Sequence, residues 1–408
     1  MMTKVKLGKV ANIINSSVDK KIKENEKEVR LCNFTDVYKN WAITSDMLEN
    51  LMEASANENE INKFCLKKGQ VAITKDSETR EDIGMSTYIA DNFDNVILGY
   101  HCTLITPDET KVNGKYLNAY LNSGLARKYF SNLASGSGQR YTLTVDAIEN
   151  IEIILPDIKI QERIGDLFSD IDRKIKNNNK INSELESLVK TIYDYWFLQF
   201  EFPNEEGKPY KSSGGKMVWN EELKRVIPEG WTVTQISKIA NLYQPVTITD
   251  KDFISNGKYF VYGANGIIGK YNDYNHENRE IAICCRGASC GNYLMTIPES
   301  WITGNSMVVS LKNELLKEYI FWGLNKQIIS KFITGSAQPQ ITRTNLNLMV
   351  VTVPTKEILI KFNHIIDKIR LRLEANFKEN QQLESLRDFL LPLLMNGQVS
   401  FKEGEENA

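Results

Sequence analysis

Two stretches decide the architecture of this chain: NNNKINSELESL at residues 177–188 and ANFKENQQLESL at residues 375–386. They lie 198 residues apart, and the same separation links Pro156 to Pro354, each of which follows an apolar, strand-like run (IEIIL and MVVTV). A third match, LGKVANI at residues 7–13 and ISKIANL at residues 236–242, opens both halves at a separation of 229 residues. The chain therefore contains two copies of one unit, and the middle of the first copy is about 30 residues longer.

Each copy ends in a run with apolar residues at 3-and-4 spacing, which indicates a long amphipathic helix. These residues are Ile164, Leu167, Ile171, Ile181, Leu185, Leu188 and Ile192 in the first copy, and Phe362, Ile365, Ile369, Leu383, Leu386, Leu390 and Leu393 in the second. We predict helices of roughly 35 to 40 residues, about 55 Å long, which one small domain cannot bury. Each helix needs a partner, and we expect the two to pair antiparallel as a coiled coil.

The apolar seam is interrupted at the same place in both helices, by Lys174 and Asn178 in the first and by Arg372 and Asn376 in the second. Antiparallel pairing would make Asn178 and Asn376 face each other near the helix midpoints. A polar residue at a core position costs stability but penalises slipped alignments, so we predict that this pair sets the register of the helices. The alternative is that both asparagines lie on solvated stretches.

The predicted fold class is α+β, with two mixed domains of short curved strands joined by two long antiparallel helices in a pseudo-two-fold repeat. The predicted segments are a first domain at 1–156, a first spacer helix at 157–200, a connector at 201–230, a second domain at 231–354, and a second spacer helix with the C-terminal tail at 355–408. Residues 202–230 contain seven of the 34 Pro and Gly residues. Because they also carry Tyr210 and Trp219, we expect an ordered connector.

Composition limits the possible functions. The 50 Lys and Arg residues are balanced by 52 Asp and Glu, so the formal net charge is −2 and any binding of nucleic acid must be local. We find no apolar stretch of the ~20 residues that a membrane helix needs, and no secretory signal, so we expect a cytoplasmic protein with reduced cysteines. Cys284, Cys285 and Cys290 are close in sequence but lack a C-x2-C spacing, which favours strand and turn packing over a metal site.

Motifs for catalysis are missing. The run GANGIIGK at residues 263–270 spaces its outer glycines too far apart for a phosphate loop, and Tyr271 stands where a hydroxyl for Mg²⁺ is needed. The three histidines are scattered, and neither H-E-x-x-H nor G-x-S-x-G occurs. An N-P-P-[YF] run for base methylation is absent as well. We therefore predict a chain without a catalytic site, a metal or a cofactor of its own.

Polar loops with basic and aromatic residues remain as candidates for recognition. Arg, Lys, Asn, Gln and Ser pair with base edges and phosphates, although solvated turns use the same residues and composition alone favours turns. The candidate DNA-binding residues are Lys75, Ser77, Thr79, Arg80, Gln139, Arg140 and Tyr141 in the first copy, and Asn265, Lys270, Tyr271, Arg286, Ser289, Asn292, Gln338, Gln340 and Arg343 in the second.

Over essentially its full length the chain resembles the specificity subunit of a type I restriction-modification enzyme. The resemblance rests on LPDIKIQERIGDLFSDIDRKI at 155–175, NSELESLVKTIYDYWF at 182–197, the connector FPNEEGKPYKSSGGKMVWNEELKRVIPEGW at 202–231, FVYGANGIIGKY at 260–271, WITGNSMVV at 301–309, GSAQPQIT at 335–342 and LRDFLLPLLMNGQVSF at 386–401. The connector and the helix end are the most specific of these features.

The resemblance implies two target-recognition domains held apart by two antiparallel conserved helices, each reading one part of a split, asymmetric site on double-stranded DNA. It also implies two modification (methyltransferase) subunits, which bind S-adenosylmethionine, and restriction subunits that use ATP and Mg²⁺. We expect the modification subunits to dock on exposed seam positions of the long helices. Because the chain is nearly neutral, we expect it to bind DNA weakly without its partners.

Three alternatives stay open from the sequence. The chain could be the recognition subunit of a type II system whose partner has fused cleavage and methylation functions. It could be a scaffold that never touches DNA, or a stand-alone sequence-specific regulator. Co-purification with a methyltransferase would support either a type I specificity subunit or a type II recognition subunit. Specific DNA binding by the chain alone would support the regulator.

Overall fold

The computed structural model describes residues 3–136, 140–335 and 337–401. The chain forms two compact units, one of Met1–Asn179 with Lys378–Ala408 and one of Lys180–Phe377. Each unit holds the strands of one predicted copy, and each long helix contributes one half to each unit. Within the described ranges, no helix is long and apolar enough to cross a membrane.

The first unit is built on a five-stranded sheet with the order Ala11–Asn15, Cys102–Pro107, Val71–Thr74, Ser86–Ile89 and Ala42–Ile43. All four residues of Val71–Thr74 are buried, as a short β-branched run in a central strand should be. The other strands are Thr3–Lys6, Lys27–Cys32, Met52–Ala56, Asp76–Ser77, Val96–Leu98, Ser135–Gly136, Tyr141–Thr142 and Glu152–Leu155. The helices are Phe34–Lys39, Glu58–Phe64, Gly114–Leu121, Gly124–Leu133, Val145–Glu149 and Ile158–Tyr193, with 3-10 turns at Leu7–Lys9 and Ser45–Asn50.

The second unit repeats this plan with a four-stranded sheet in the order Ala240–Tyr243, Ser306–Leu311, Ile281–Cys284 and Tyr293–Met295. The other strands are Met217–Asn220, Arg225–Pro228, Thr232–Gln235, Tyr259–Gly263, Gly266–Tyr271, Trp301–Ile302, Ile333–Thr334, Gln340–Ile341 and Val350–Val353. The helices are Ile236–Ile239, Lys317–Gly323, Lys326–Ser330, Arg343–Leu346 and Lys356–Met395, with a π-helical turn at Asp194–Leu198 and 3-10 turns at Asp250–Asp252 and Glu314–Leu316.

A second sheet in each unit explains why the first copy is longer. Lys27–Cys32 pairs antiparallel with Met52–Ala56 and parallel with Val96–Leu98, and Tyr259–Gly263 pairs in the same way with Gly266–Tyr271 and Trp301–Ile302. The antiparallel strands of the second copy are joined by the two-residue turn 264–265. Those of the first copy are joined by residues 33–51, which include the helix Phe34–Lys39. More than half of the extra length of the first copy therefore lies in this connection, called the long hairpin tip, which also contains Ala42–Ile43, the edge strand of the five-stranded sheet.

The two long helices pack antiparallel within each unit. In the first unit Ile164, Phe168 and Ile171 of the helix Ile158–Tyr193 share a core with Leu391 and Leu394 of the helix Lys356–Met395. In the second unit, Val189 and Tyr193 share a core with the aromatic and aliphatic residues Leu359, Phe362 and Ile366. The early half of each helix thus contacts the late half of the other, as the sequence repeat predicts.

The core seam differs from the prediction at several positions, where the next residue along the helix is the buried one: Phe168, Ile366, Leu391 and Leu394 are buried, whereas Leu167, Ile365, Leu390 and Leu393 are only partly buried. The largest difference is at one pair of equivalent positions. Leu188 and Leu386, which the spacing assigned to the seam, are 48% and 44% exposed. The seam of the first helix passes through the fully buried Val189 instead, and that of the second helix passes through Asn376 and Asn380 without interruption. Between Leu359 and Asn380 the buried positions of the second helix are separated by three, four or seven residues, as a heptad seam requires.

Asparagine layers lie near the helix midpoints, but the prediction that Asn178 and Asn376 face each other is wrong, because each pairs with a different asparagine of the opposite helix. In the first unit the Asn178 Nδ2 donates to Asn380 Oδ1 at 2.9 Å and to a Glu379 carboxylate oxygen at 2.8 Å. In the second unit, Asn376 Nδ2 donates to Asn182 Oδ1 at 2.7 Å, which is the equivalent bond of the repeat. Asn178 and Asn376 are fully buried, so the reading of both as solvated residues is wrong. Their predicted role in setting the register stays a prediction.

The connector residues 201–230 are ordered around a hairpin of Met217–Asn220 and Arg225–Pro228. The Phe202 ring stacks on Tyr210, with centroids 4.6 Å apart, and on Trp231 at 5.8 Å. These rings belong to the core of the second unit, together with Phe197. The connector is therefore part of a packed aromatic cluster.

Candidate nucleic-acid interface

In both copies the same backbone frame presents the candidate loops. We call Val71–Thr74 and Ile281–Cys284 the central strands, and the two-residue strands Tyr141–Thr142 and Gln340–Ile341 the ladder strands. The residue after each central strand accepts a backbone hydrogen bond at the end of the ladder strand. Leu143 N–H donates to Lys75 O at 2.7 Å, and Ile341 N–H donates to Cys285 O at 3.0 Å. The next residue pairs across the ladder, Asp76 with Thr142 in the first copy and Arg286 with Gln340 in the second. Asp76 and Arg286 therefore occupy equivalent positions.

A threonine cap fixes the end of this ladder in each copy. Thr144 accepts a hydrogen bond from Ala147 N–H at 3.2 Å, and Thr342 accepts one from Asn345 N–H at the same distance. Side-chain caps of this kind satisfy backbone donors that a helix start leaves unpaired, so both short helices begin at a defined residue. The ladder residues just before each cap are held in place as a result.

In the first copy, Asp76 is the centre of a charged network. Its carboxylate accepts hydrogen bonds from Thr142 Oγ1 at 2.7 Å, Lys75 Nζ at 3.1 Å and Arg140 Nη2 at 3.1 Å, and bonds to His101 Nδ1 at 2.8 Å. Arg140 also contacts the His101 ring directly. The Asp76 side chain is 9% exposed, whereas that of Arg140 is 54% exposed. The network therefore joins a buried anion to a cation that reaches solvent.

The ionisation of Asp76 follows from these partners. Burial raises the pKa of its carboxyl, but hydrogen bonds from His101, Thr142 and Lys75 lower it by more, and the resulting pKa is about 2. Asp76 is therefore an anion at neutral pH and attracts both neighbouring cations.

These side chains border a depression of about 620 Å³. On one side it is lined by Phe34 and Tyr38 from the long hairpin tip, and on the other by Ser77, Thr79, His101 and Arg140. The Arg80 guanidinium lies over the Tyr141 ring at 5.0 Å, at the ladder strand beside the depression. The first-copy loop surface, defined as Lys75, Ser77, Thr79, Arg80, His101, Arg140 and Tyr141, thus combines cations, hydroxyls and rings, while Asp76, Glu78 and Asp82 add carboxylates to the lining of the depression.

In the second copy, the short hairpin tip lies against the loop after the central strand. Asn265 at the tip donates to Ser289 Oγ, and Asn292 Nδ2 donates to Asn265 Oδ1 at 3.1 Å. The exposed Arg286 lies in the same loop and pairs with Gln340. The second-copy loop surface is defined as these five residues, which the sequence had selected separately.

Other candidates of the second copy lie apart from this group. Lys270 and Tyr271 are at the opposite end of the hairpin from Asn265, where Lys270 Nζ lies 5.4 Å from the Phe260 ring and Tyr271 packs on Trp301. Gln338 and Arg343 are exposed on either side of the ladder strand Gln340–Ile341. Gln139 of the first copy lies outside the described residues.

Sequence reasoning missed Asp76, His101 and Thr142 of the network, and the tip residues Phe34 and Tyr38. Asp76 lies within the candidate loop, but nothing in the sequence marks its carboxylate as buried. His101 and Arg140 are 25 and 64 residues away from it, so their meeting depends on the fold. Only the completed sheet brings these residues together.

Neither loop surface, as far as the structure describes it, holds a metal-binding cluster or an exposed reactive cysteine. Across the described residues, no three His, Cys, Asp or Glu side chains lie close enough together to hold a metal ion. All six cysteines are free, and Cys284 and Cys285 are buried at the end of the central strand. Burial raises the pKa of the Cys285 thiol, which keeps it protonated. The arrangement suits recognition of a polar, anionic surface by hydrogen bonds and cations.

Comparisons with known proteins assign the chain to a family. It matches the family described as type I restriction modification DNA specificity domain over residues 1–187 and 228–385. It is 22% identical, over 83% of its length and 88% of the relative, to the type I restriction enzyme HindI specificity subunit of Haemophilus influenzae. It is 23% identical to the MjaIX specificity subunit of Methanocaldococcus jannaschii, over 72% of this chain and 70% of that one.

The fold has a solved counterpart. The crystal structure of a type I restriction-modification S subunit from M. genitalium superposes with a TM-score of 0.59 and 17% identity, covering 97% of this chain and 96% of that one. The duplicated α+β fold with long helices is therefore a specificity-subunit fold. The chain belongs to the type I restriction-modification DNA specificity family, whose members are non-catalytic subunits that recognise DNA sequence.

Proposed function

We propose that this chain reads a bipartite, asymmetric sequence on double-stranded DNA, with one recognition surface in each copy. The proposal rests on one observation: the two copies share equivalent backbone pairing beside the central strand, within a five-stranded and a four-stranded main sheet, while the side chains and hairpin tips at this edge differ. A common frame with different contact residues suits two readers of different sequence. The first-copy loop surface would read one half-site and the second-copy loop surface the other.

Two modification subunits would bind the chain at equivalent positions of the long helices. Leu188 and Leu386 are related by the repeat and are 48% and 44% exposed, so a partner that covers both positions would remove apolar surface from water. Phe389 beside Leu386 is 65% exposed. S-adenosylmethionine, ATP and Mg²⁺ belong to the modification and restriction subunits in this proposal, and the complex acts on DNA in the cytoplasm.

The first test maps modified bases in the genomic DNA of cells that carry the complete system. Arg140→Ala should relax the base preference in one half of the methylated sequence, and Arg286→Ala in the other half. Loss of one base contact costs about 1–3 kcal/mol, which is enough to change the mapped sequence at one or two positions. Unchanged sequences with both variants would remove these two arginines from the interface.

The second test concerns the partners. Leu386→Ser should weaken assembly with the modification subunit and leave the thermal unfolding of the isolated chain nearly unchanged, because the side chain is already exposed. The exposed Leu125, on the first unit's helix Gly124–Leu133, provides a matched Leu→Ser control that should assemble normally. Normal assembly of Leu386→Ser would place the docking surface elsewhere.

The third test concerns the weak charge of the chain. With a formal net charge of −2, the isolated chain neutralises few phosphates and should bind DNA weakly at physiological salt. The complete complex should bind its site tightly and specifically at the same salt concentration. Equal affinity of the chain and the complex would contradict this and favour a stand-alone regulator.

A further inference from the structure

At one equivalent position the two copies carry side chains of opposite charge, Asp76 in the first copy and Arg286 in the second. Asp76 and Arg286 each follow the residue whose carbonyl accepts a backbone hydrogen bond, from Leu143 in the first copy and from Ile341 in the second. Each also pairs with the residue just before that donor, Asp76 with Thr142 and Arg286 with Gln340. Asp76 is buried and anionic, whereas Arg286 is exposed and cationic. Among the described residues, Arg286 has no carboxylate within ion-pair distance.

A buried anion beside a DNA-binding surface needs a reason, because a bare carboxylate would repel phosphate. Asp76 does not face solvent by itself. It is covered by Lys75, His101 and Arg140, and its oxygens hold the two cations at 3.1 Å. The Lys75 side chain is only 17% exposed, so Arg140 is the member of the network that reaches outward.

We propose that Asp76 is a positioning residue that fixes the Arg140 guanidinium for contact with DNA, whereas the second copy places its own arginine, Arg286, directly at the equivalent position. The inference rests on the proposed function of the loop surfaces and adds a residue to the first one. A long side chain such as arginine loses much rotamer freedom on binding, and an ion pair that holds it in advance reduces that loss. Within the part of the chain that the structure describes, Arg286 has no carboxylate to hold it in advance, and it contributes to the second-copy loop surface without one.

The test uses the complete modification complex and follows the mapped methylation sequence together with binding to oligonucleotides. Asp76→Asn preserves the shape of the side chain but removes the negative charge. It should reduce discrimination at the same base positions as Arg140→Ala, by roughly 5- to 150-fold. The double variant Asp76→Asn/Arg140→Ala should lose no more than Arg140→Ala alone, because both changes remove one interaction.

Asp82→Asn is the matched control. Asp82 lines the same depression and accepts a hydrogen bond from Thr79 Oγ1 at 3.0 Å, but forms no ion pair with Arg140. It should leave the Arg140-dependent positions unchanged. The half-site read by the second copy should also be unchanged in Asp76→Asn, which a general loss of folding would not allow.

The outcomes separate this inference from the proposed function. If Arg140→Ala relaxes one half-site and Asp76→Asn does not, the positioning role is refuted and the recognition surface stands. If the two changes add, or if Asp76→Asn relaxes both half-sites, Asp76 does not act through Arg140. If neither variant alters the sequence, the first-copy loop surface itself is wrong.

Discussion

Leucine at the asparagine layer of the first unit should stabilise the protein. In Asn178→Leu/Asn380→Leu, both members of the buried pair become apolar. In the wild-type protein, this layer contains one buried oxygen, Asn178 Oδ1, that has no hydrogen-bond partner among the described residues. Such an atom costs about 1–3 kcal/mol, and burying two leucines contributes about 1.5–3 kcal/mol each.

Three side-chain hydrogen bonds would be lost in exchange: Asn178 to Asn380, Asn178 to Glu379 and Asn380 to Asn179. At about 0.5–1.5 kcal/mol each, they offset part of the gain, and Asn179, which is exposed, can bond to water instead. We expect a net gain of about 2–4 kcal/mol. The single change Asn178→Leu leaves Asn380 without its donor and should change stability little.

Differential scanning calorimetry of the full chain measures the effect, which should raise the first unit's transition by roughly 5–10 °C. Asn177→Leu is the control, because that residue is exposed and one position away. Register is followed in the double-leucine background by joining introduced cysteines with a short bifunctional thiol reagent, because the Lys174 Nζ and Glu379 Oε2 atoms that lie 3.3 Å apart end long side chains. Lys174→Cys/Glu379→Cys reports the native pairing, and Lys174→Cys/Leu386→Cys reports a slip of one heptad.

The native pair should cross-link in every background, and the slipped pair should appear only after the leucine changes. A lower melting temperature for Asn178→Leu/Asn380→Leu would refute the energetic argument. A slipped product that never forms would leave the asparagines without a role in register.

Three further predictions concern packing and pH. Gly165→Ala should destabilise the first unit by about 1–3 kcal/mol in chemical denaturation, because a Cβ there would lie 2.6 Å from Lys115 Cβ and 2.8 Å from Tyr116 N, whereas Gly124→Ala meets nothing within 4 Å and should be harmless. Phe362→Ala should cost the second unit about 3–5 kcal/mol, since the fully buried ring packs on Phe197 at 4.8 Å, while Phe389→Ala at an exposed position should cost little. The pKa of Asp76 is lowered to about 2, so its ionised form stabilises the fold above the ordinary pKa of 3.8 and that contribution disappears as pH falls towards 2. The melting temperatures of wild type and Asp76→Asn should therefore differ at pH 5 and converge near pH 2, and a constant difference would contradict the assignment.

The repeat, the antiparallel helices and the family could be predicted from the sequence, because each depends on motifs at regular spacing. The offset of 198 residues identifies Leu188 and Leu386 as equivalent, and both indeed share one environment. It could not tell which of two adjacent apolar residues faces the partner helix. Leu188 and Val189 differ by about 100° around the helix axis, and the packing of the second unit selects Val189.

The recognition surfaces were less predictable. Polar loop residues such as Arg140 and Arg286 could be selected by type, but Lys270 matched the same criterion and lies at the far end of its hairpin. Asp76 could not be selected at all, because its importance depends on partners brought together by three separate strands and loops. Long-range contacts of this kind leave no local pattern.

The connection between the paired strands, two residues in one copy and nineteen in the other, has a consequence for exchanging parts between the copies. The nineteen residues are not a free loop, because Ala42–Ile43 is the edge strand of the five-stranded sheet and the Val37 and Ile43 side chains are fully buried. Replacing them by the two-residue turn would remove that strand and expose the core beneath it, so the two connections are not interchangeable even though their flanking strands pair alike.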